Sequence, residues 1–405
     1  MSHGRVTQGQ SIYLDHAAAT PLAAEVEAAM IAARREAFAN PSSQHAAGRA
    51  ARKLLEDARE RILETFGGRG TGGRRDRLVF TSGASEANHL AITGMAHALG
   101  AVGTVCHSRR DHASVLHAAT AVGRRGWRIA ELPLDATGRI DPRPLAAALA
   151  AACPAGPVIL AVTTACGQTG VIEDVDGLRL PAGDAFVHVD ATQSAAFMPV
   201  GFAASSAATL ALAPHKFGGP RGIGALLVRA GVPLEPVLAG TQEHGLRGGT
   251  EAVSLAVGFA RAVEVAAADR EAAARRVASL RDRLERELLA AARGAGIAAV
   301  PIGADGSRCP HISTIAFQGL DRQALAMAAD LSGVCVATGT ACASGSSEPA
   351  PALTAMGLPG GVVRGAVRLS VGRTTTDADV TLAVERLAAV LGRLRDTVPG
   401  QRREG

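Results

Sequence analysis

Seven short apolar runs between residues 78 and 228 alternate with segments in which apolar residues recur every three or four positions. The apolar runs lie at residues 78–80, 102–106, 127–132, 158–162, 186–189, 209–213 and 225–228. Helical spacing is clearest at residues 86–99, 113–122 and 142–151. Continuous apolar strands that alternate with helices are typical of a mainly parallel sheet covered on both faces. This region therefore predicts an α/β fold.

The segments before and after this region predict the remaining elements. Ahead of it we expect a short strand at 12–14, a helix from an N-cap at Thr20 to about residue 38, and an amphipathic helix ending near Phe66. After it, an Ala-, Arg- and Glu-rich pattern predicts one long helix at about 251–292. The rest of the chain predicts strands at 297–300, 312–317 and 362–369 and helices at 322–331 and 377–394.

These elements predict two domains and an N-terminal segment. We expect a large ligand-binding domain at residues 21–260 and a small C-terminal domain at residues 261–405 that carries a cysteine-containing loop. We expect residues 1–20 to pack with the small domain.

Composition narrows the class of protein. The 405 residues are 47% hydrophobic and 20% charged, which is ordinary for a globular enzyme. The net charge of +5 is spread along the chain without interleaved aromatic residues, so we expect no direct nucleic-acid binding. The six cysteines form no CxxC pair, so neither a zinc site nor a disulfide framework is expected. With no N-terminal signal and no long apolar span, we expect a cytoplasmic protein without membrane contact.

One lysine stands where an apolar strand breaks into a tight turn. The run at 209–213 is followed by Pro214-His215-Lys216 and a segment rich in Gly and Pro. Partial removal from water favours the neutral amine that Schiff-base chemistry requires. Of the 42 basic residues, only Lys53 and Lys216 are lysines, and Lys53 lies on the polar face of a predicted helix. Lys216 is therefore the candidate for a covalent amine.

Polar residues follow several other strand ends, which is where ligands gather in parallel α/β sheets. Residues 81–86 form a Gly/Ser turn before a predicted helix, whose free amides either bind a phosphate or are simply capped. Asp190 is either a helix cap or a carboxylate that holds a protonated ring nitrogen. His112 is either a surface side chain or an imidazole that stacks on a flat ligand or moves protons.

A loop of small polar residues near the C-terminus contains Cys342. The Gly, Ala, Ser and Thr residues of 339–349 predict an exposed, mobile loop in which a thiol is accessible. Cys335 lies in an apolar run and is expected to pack as a small hydrophobic residue. Three arginines flank the last predicted strand, and one of them could bind a carboxylate through two hydrogen bonds: Arg364, Arg368 and Arg373.

Taken in order along the chain, nine stretches resemble the cysteine desulfurases of the pyridoxal-phosphate class V aminotransferase group, in particular the NifS/IscS-like branch. The stretches are YLDHAAATP (13–21), NPSSQH (40–45), FTSGASEAN (80–88), DHASVL (111–116), HVDATQS (188–194), HK with GPRGIGAL (215–226), RGGT (247–250), GTACASGSSEP (339–349) and VRLSVGRTTT (367–376). The resemblance covers nearly the whole chain. It implies fold type I of the pyridoxal-phosphate-dependent transferases, with a mainly parallel seven-stranded sheet in the large domain and a smaller α+β C-terminal domain.

The resemblance also implies roles for individual residues. Lys216 would carry pyridoxal 5'-phosphate as a Schiff base, and Asp190 would pair with the pyridine nitrogen. Gln193 would bond the ring oxygen, and His112 would stack on the ring and handle protons. The residues that match the phosphate site are Ala84, Ser85, His215 and, from the other subunit of a homodimer, Thr250. The residues that match the substrate site are Arg368 and Asn40, for the carboxylate of L-cysteine, and Cys342, for a persulfide that passes to a sulfur-acceptor protein.

The implied reaction converts L-cysteine to L-alanine and leaves a persulfide on Cys342. Two alternatives stay open: a pyridoxal-phosphate-dependent β-lyase acting on cysteine, cystine or selenocysteine without a protein persulfide, and a degenerate scaffold subunit of a sulfur-transfer complex. Two departures from the family motivate the scaffold. Gly167 stands where the family has an Asn at the ring oxygen, with Gln168 as the nearest substitute, and Ala213-Pro214 replace a phosphate-binding Ser-Gly.

Overall fold

The computed structural model describes residues 11–70, 75–152, 156–175, 185–339 and 348–395. The first half of the chain forms β1 (Ile12–Tyr13), α1 (Ala24–Glu36), α2 (Ala46–Thr65), β2 (Arg77–Thr81), α3 (Ala84–Ala98), β3 (Thr104–Ser108), α4 (Ala113–Gly123), β4 (Arg128–Leu132), α5 (Pro142–Ala152), β5 (Val158–Thr163), β6 (Ala185–Asp190), β7 (Ala207–Leu212) and β8 (Gly224–Val228). The second half forms α6 (Val253–Ala268), α7 (Arg270–Gly294), β9 (Ala299–Pro301), β10 (Ile312–Phe317), α8 (Arg322–Leu331), β11 (Val334–Cys335), α9 (Pro351–Ala355), α10 (Gly360–Arg364), β12 (Ala366–Ser370) and α11 (Asp377–Arg395).

A seven-stranded sheet lies at the centre of the molecule, in the order β2-β8-β7-β6-β5-β3-β4. Strand β8 is antiparallel to both of its neighbours, and the other pairs are parallel. Every residue of β5, β7 and β8 is buried, which explains why these strands read as continuous apolar runs. All seven apolar runs are strands of this sheet, so the predicted mainly parallel α/β fold is confirmed.

Helices cover both faces of the sheet. On one face, α3 and α4 pack with the strands in a cluster that includes Leu90, Ile92 and Val115. On the other face, α2, α5 and α6 contribute to a larger cluster that includes Ile62 and Phe259. The strand ends therefore remain the accessible edge at which a ligand can bind. None of the helices within the described ranges combines the length and apolar content needed to cross a bilayer.

The C-terminal part of the chain forms a second, three-stranded antiparallel sheet in the order β12-β10-β9. The N-terminal β1 pairs in parallel with β11, and Asp15 forms an isolated bridge with Ser370 at the end of β12. The first described residues thus lie against elements from the end of the chain. The exact domain bounds stay a prediction.

The prediction of one long helix at 251–292 is wrong, because the chain breaks between α6 and α7. Asp269 leaves the helical region with φ −131° and ψ 22°. Arg373 forms an ion pair with the Asp269 carboxylate and donates to the Ala266 carbonyl at 3.1 Å. This arginine therefore binds carbonyl and carboxylate groups at the break, and it comes from a distant part of the sequence.

Two smaller predictions also need correction. Thr20 is not a helix N-cap, because α1 begins at Ala24 and the Thr20 hydroxyl donates to the His215 carbonyl at 2.9 Å instead. The apolar run at 362–369 is not one strand, because it is split at Gly365 into the end of α10 and the start of β12. A Cβ at Gly365 would lie 2.2 Å from the Phe317 carbonyl oxygen, so the close approach of these backbones requires glycine.

Candidate active site

Lys216 occupies a tightly constrained turn at the end of β7. The residues Pro214–Lys216 form a single 3-10 turn that leads towards β8. The Gly219 amide donates to the Pro214 carbonyl at 2.9 Å, and a Cβ at Gly219 would lie 2.3 Å from the Pro214 Cβ. Gly218 has φ +82°. The glycines after the lysine therefore make a turn that other residues could not form without strain.

The Lys216 amine and the Gln193 amide share one carbonyl of the N-terminal segment. Lys216 Nζ donates to the carbonyls of Ala17 at 2.7 Å and Ala18 at 2.9 Å, and Gln193 Nε2 donates to Ala17 at 2.8 Å. Thr20 Oγ1 accepts from an amide in the same turn, that of Gly218, at 2.7 Å. The segment after β1 therefore brings Lys216 and Gln193 together.

Asp190 ends β6 and is buried with 3% of its surface exposed. Its Oδ2 accepts from Asn88 Nδ2 at 2.8 Å, and its Oδ1 accepts from the Thr192 amide at 3.0 Å. These N–H donors are the partners that an ionised carboxylate requires in a buried site. A protonated ring nitrogen is a further donor that such a carboxylate could accept.

His112 is the exposed N-cap of α4, directly after a buried aspartate. His112 Nδ1 lies 2.8 Å from Ser114 Oγ and accepts from the Ser114 amide at 3.2 Å. Asp111 accepts from the amides of Ser108 and Thr163, each at 2.8 Å, and so ties the end of β3 to the end of β5. Burial raises the pKa of Asp111. The backbone that carries His112 is thus fixed to the sheet edge.

His215 lies close to Lys216, Arg221 and His112. Burial and these three positive or ionisable neighbours lower the pKa of His215 to about 4. The side chain is therefore a neutral imidazole near pH 7, with one N–H to donate. A neutral donor next to lysine suits the recognition of an anionic group.

The turn between β2 and α3 offers backbone amides for an anion. The N-cap of α3 is Gly83, which has no side chain to bond the first amides of the helix, so the amides of Ala84 and Ser85 are not capped by it. A Cβ at Gly224 would lie 2.5 Å from the Gly83 carbonyl carbon and 2.8 Å from the Ala84 nitrogen. Strand β8 thus packs directly under this helix start. Uncapped amides at a helix N-terminus favour phosphate.

Thr250 lies in an exposed segment beside the same turn. Together with Thr81 and Ser82 it lines a cavity of ≈ 70 Å³. Glu243 holds the start of this segment to α2 and β2, because it accepts from Arg59 at 2.7 and 2.9 Å in a buried ion pair and from the backbone amide of Phe80 at 2.7 Å. The segment is therefore anchored at one end and exposed at the other.

Arg368 is a buried guanidinium from β12 with 4% of its surface exposed. It donates to Asp15 Oδ1 and to the Gly167 carbonyl, both at 2.7 Å. Its Nε is buried and has no hydrogen-bond partner within the described ranges. Asn40 lies in an exposed turn, where its Oδ1 accepts from the Ser42 amide at 2.8 Å. Of the two predicted carboxylate ligands, Arg368 is the one with an open donor in a buried position.

The departure at Gly167 places a glycine against Gln193. A Cβ at Gly167 would lie 3.2 Å from Gln193 Nε2, so the glutamine occupies the space beside this backbone. Gln168, the nearest substitute in sequence, uses its Oε1 to accept from the Ala352 amide at 2.9 Å. The glutamine that lies next to Gly167 is therefore Gln193.

Cys342 lies outside the described residues, but the residues just before its segment are paired with the backbone of Arg368. Ala337 and Arg368 exchange two backbone hydrogen bonds at 3.0 and 2.7 Å. A Cβ at Gly339 would contact the Ala350 Cβ at 3.4 Å, so the two ends of the segment nearly meet. Cys335 is partly rather than fully buried, and burial raises its pKa.

The structure thus brings most of the predicted residues to one edge of the sheet, and it adds residues that the sequence analysis missed. Asn88, Ser114 and Asp15 contact predicted site residues, and so does the Ala17 carbonyl. Each of these residues lies within a recognised stretch: FTSGASEAN, DHASVL or YLDHAAATP. Their positions were visible in the sequence, but their contacts required the fold.

This fold, with a lysine turn, a buried aspartate and an arginine from the small sheet, defines the class of protein. The chain belongs to the aminotransferase class-V family, whose model matches residues 12–382. It is 34% identical to the cysteine desulfurase IscS of Dictyoglomus turgidum over 96% of this chain and 97% of that protein. It is 35% identical to a cysteine desulfurase of Cereibacter sphaeroides over 96% and 98%. A solved NifS-like protein matches with a TM-score of 0.85 and 26% identity over 95% of this chain and 100% of that chain. The resemblance stated from the sequence is confirmed.

Proposed function

We propose that this chain is a pyridoxal-phosphate-dependent cysteine desulfurase that converts L-cysteine to L-alanine and forms a persulfide on Cys342. Relatives that bear the name cysteine desulfurase match it over nearly their whole length. The observation that carries the assignment of the site is the pair of contacts from one N-terminal segment. The Ala17 carbonyl joins Lys216 and Gln193, and Asp15 joins Arg368. Candidate cofactor and substrate residues are thus held by the same few residues.

The donor and acceptor groups present fit pyridoxal 5'-phosphate. The uncapped amides of Ala84 and Ser85 suit its phosphate, and the Asp190 carboxylate suits its pyridine nitrogen. The buried Thr192 Oγ1 has no hydrogen-bond partner within the described ranges and stands two residues after Asp190. Lys216 provides the amine that such a cofactor requires. When bound, the cofactor stabilises the electron pair left when a bond at the substrate Cα breaks.

The residues of the candidate site would then have the following roles. Lys216 Nζ would hold the cofactor covalently and, once the substrate amine has displaced it, would take up the Cα proton, and Asp190 would keep the ring nitrogen protonated. Gln193 would bond the ring oxygen, and His112 would stack on the ring. Residues that bind the phosphate are Ala84, Ser85, His215 and Thr250 of the other subunit in a homodimer. Residues that bind the substrate carboxylate are Arg368 and Asn40.

Cys342 lies a few positions after a residue whose backbone is fixed beside Arg368. It lies five residues after Ala337, whose backbone pairs with Arg368. Five residues span at most about 18 Å, so the Cys342 Cα lies within that distance of the Ala337 Cα, which is paired with the backbone of the arginine that would hold the substrate. As a thiolate, it attacks the substrate sulfur. An S–S bond would form at Cys342 as the C–S bond of the substrate breaks. The C–S electron pair would stay on the substrate carbon, which takes up a proton, and alanine would leave. The persulfide sulfur then passes to an acceptor protein.

Product analysis tests this function. The protein, loaded with pyridoxal phosphate and mixed with L-cysteine, should release alanine and carry one additional sulfur on Cys342 by mass spectrometry. Cys342→Ser should keep the bound cofactor and lose both the additional sulfur and sulfur transfer, whereas the matched control Cys335→Ser should retain them. Sulfide and alanine release by Cys342→Ser at the original rate would establish a β-lyase. A protein that binds the cofactor but releases no alanine would indicate a scaffold.

A further inference from the structure

A chain of hydrogen bonds, buried between Asp190 and Ser114 and partly buried at His112, joins Asp190 to His112 through the side chains of Asn88 and Ser114. We propose that Asn88 and Ser114 are positioning residues that fix neutral His112 as the tautomer protonated on Nε2. The catalytic meaning of this tautomer rests on the proposed function. The tautomer itself follows from the hydrogen-bond donors and acceptors of the protein around His112.

The donor and acceptor roles along this series of hydrogen bonds can be assigned from Asp190. An ionised carboxylate can only accept hydrogen bonds, so the atom of Asn88 that lies 2.8 Å from Asp190 Oδ2 must be the amide nitrogen. The second hydrogen of that NH₂ group is directed to Ser114 Oγ at 2.9 Å. Both hydrogens of the Asn88 amide are thereby used, and its carbonyl oxygen must accept.

The other side of Asn88 agrees with this orientation. Asn88 Oδ1 lies 2.9 Å from His188 Nε2, and His188 Nδ1 lies 2.9 Å from Thr209 Oγ1. Complete burial lowers the pKa of His188 to about 4, so the ring is neutral and carries one hydrogen. That hydrogen is on Nε2 and is donated to Asn88, while the Thr209 hydroxyl donates to Nδ1. Every polar atom of the Asn88 side chain is thus paired in one consistent way.

The orientation of Asn88 makes the Ser114 hydroxyl a donor to His112. Because Ser114 Oγ accepts from Asn88, its own hydrogen is available for His112 Nδ1 at 2.8 Å. The Ser114 backbone amide, which can only donate, also lies 3.2 Å from Nδ1. Two donors at Nδ1 exclude a proton there, and a neutral imidazole must then carry its hydrogen on Nε2.

This tautomer limits which proton transfers His112 can make. Neutral His112 has an N–H group at Nε2 and no lone pair there, so that nitrogen donates a proton or a hydrogen bond and does not abstract a proton. This excludes His112 Nε2 as the base at the substrate Cα and agrees with the role proposed above for Lys216. Asn88 thus donates directly to the Asp190 carboxylate and acts on the tautomer of His112 through Ser114.

Nitrogen NMR of histidine in the full-length chain tests the proposal with and without pyridoxal phosphate. The His112 signals are those lost in His112→Gln. Above pH 7.5, wild-type His112 should show a protonated nitrogen at Nε2 and an unprotonated one at Nδ1, in both forms of the protein. A proton on Nδ1 would overturn the proposal whether or not the chain desulfurates cysteine.

Variants separate the role of Ser114 from that of its backbone amide. Ser114→Ala should admit a measurable fraction of the Nδ1-protonated tautomer, while Ser114→Thr, which keeps the hydroxyl, should retain the wild-type signals. The matched control is Ser194→Ala, which removes a buried hydroxyl that bonds Thr164 and lies outside this chain of bonds. If Ser114→Ala folds and leaves the tautomer unchanged, Ser114 and Asn88 do not position His112 and the proposal fails.

Discussion

Asp15 and Arg368, 353 positions apart in sequence, form an ion pair at 2.7 Å in which the arginine is almost completely buried. The guanidinium also donates to the Gly167 carbonyl, so two of its nitrogens are held by the protein. Its orientation is therefore set before a substrate carboxylate arrives. Asp15 provides the negative charge that a buried guanidinium otherwise lacks.

Removal of Asp15 should destabilise the protein and weaken substrate binding. Asp15→Ala leaves a buried charge without its carboxylate partner, which costs about 3 kcal/mol of unfolding free energy. Because Arg368 also loses its orientation, KM for L-cysteine should rise more than kcat falls. Urea denaturation and steady-state kinetics measure the two effects. Asp57→Ala is the matched control, because it breaks the exposed Lys53–Asp57 pair and should cost no more than about 0.5 kcal/mol. Equal stability of the two variants would contradict the prediction.

Lys216→Ala should abolish covalent attachment of pyridoxal phosphate and all turnover. Lys216 is held by two carbonyls in the constrained turn, whereas Lys53 forms an exposed pair on the surface of α2. Borohydride reduction followed by peptide mapping measures the attachment. Lys53→Ala, the matched control, should retain the absorbance, the attachment at Lys216 and the activity. Attachment at Lys53 in the Lys216→Ala protein would show that the assignment is wrong.

Gly167→Ala should change the absorbance of the bound cofactor. The new Cβ would lie 3.2 Å from Gln193 Nε2, so the glutamine amide must shift by a few tenths of an ångström and weaken its hydrogen bond to the Ala17 carbonyl. The weakened bond should also lower the unfolding free energy, by at most about 1 kcal/mol. Gly361→Ala is the control, because nothing lies within 4 Å of its Cβ position. An unchanged absorbance and stability in Gly167→Ala would mean that Gln193 does not occupy this space.

The folded protein should lose stability as the pH falls from 6.5 towards 4. Burial lowers the pKa of His188 to about 4, below the value of about 6.5 for an unfolded histidine, so only the unfolded chain takes up a proton between these values. The stabilisation is complete above pH 6.5 and decreases below it. In His188→Gln, the stability difference between pH 7 and pH 5 should shrink by roughly 1–2 kcal/mol.

Denaturation curves at pH 7 and pH 5 measure this difference. His117, which is exposed on α4, provides the control variant His117→Gln with a wild-type difference. A wild-type pH dependence in His188→Gln would show that His188 is not neutral in the folded protein.

The apolar pattern was sufficient to predict the central sheet, because strands such as β5 and β7 are buried on both faces and contain no polar interruption. The sequence pattern gave wrong predictions where a residue bonds a group that is distant in sequence. Thr20 looks like a helix cap, yet its hydroxyl binds the His215 carbonyl. The long helical pattern after Glu251 gives no sign that Arg373 binds groups at its break.

In the candidate site too, residues marked by local sequence could be predicted, and residues whose role depends on distant contacts could not. Lys216 and Asp190 could be predicted because Asp190 ends one apolar strand and Lys216 lies in the turn after the next, and the ends of neighbouring parallel strands lie side by side. Asn88 lies inside a helix and looks like an ordinary polar residue. Its contacts with Asp190 and His188 depend on the packing of α3 against β6, which no spacing within either segment encodes.

The pairing of the N-terminal segment with the end of the chain constrains when the site can form during synthesis. Lys216 and Asp190 leave the ribosome early, but Asp15 can find its partners Arg368 and Ser370 only after β12 has been translated. A nascent chain that ends before β12 holds the lysine turn without the arginine that would complete the substrate site. The substrate site is thus completed only once β12 has been made, and translation that stops before β12 yields a protein with an incomplete site.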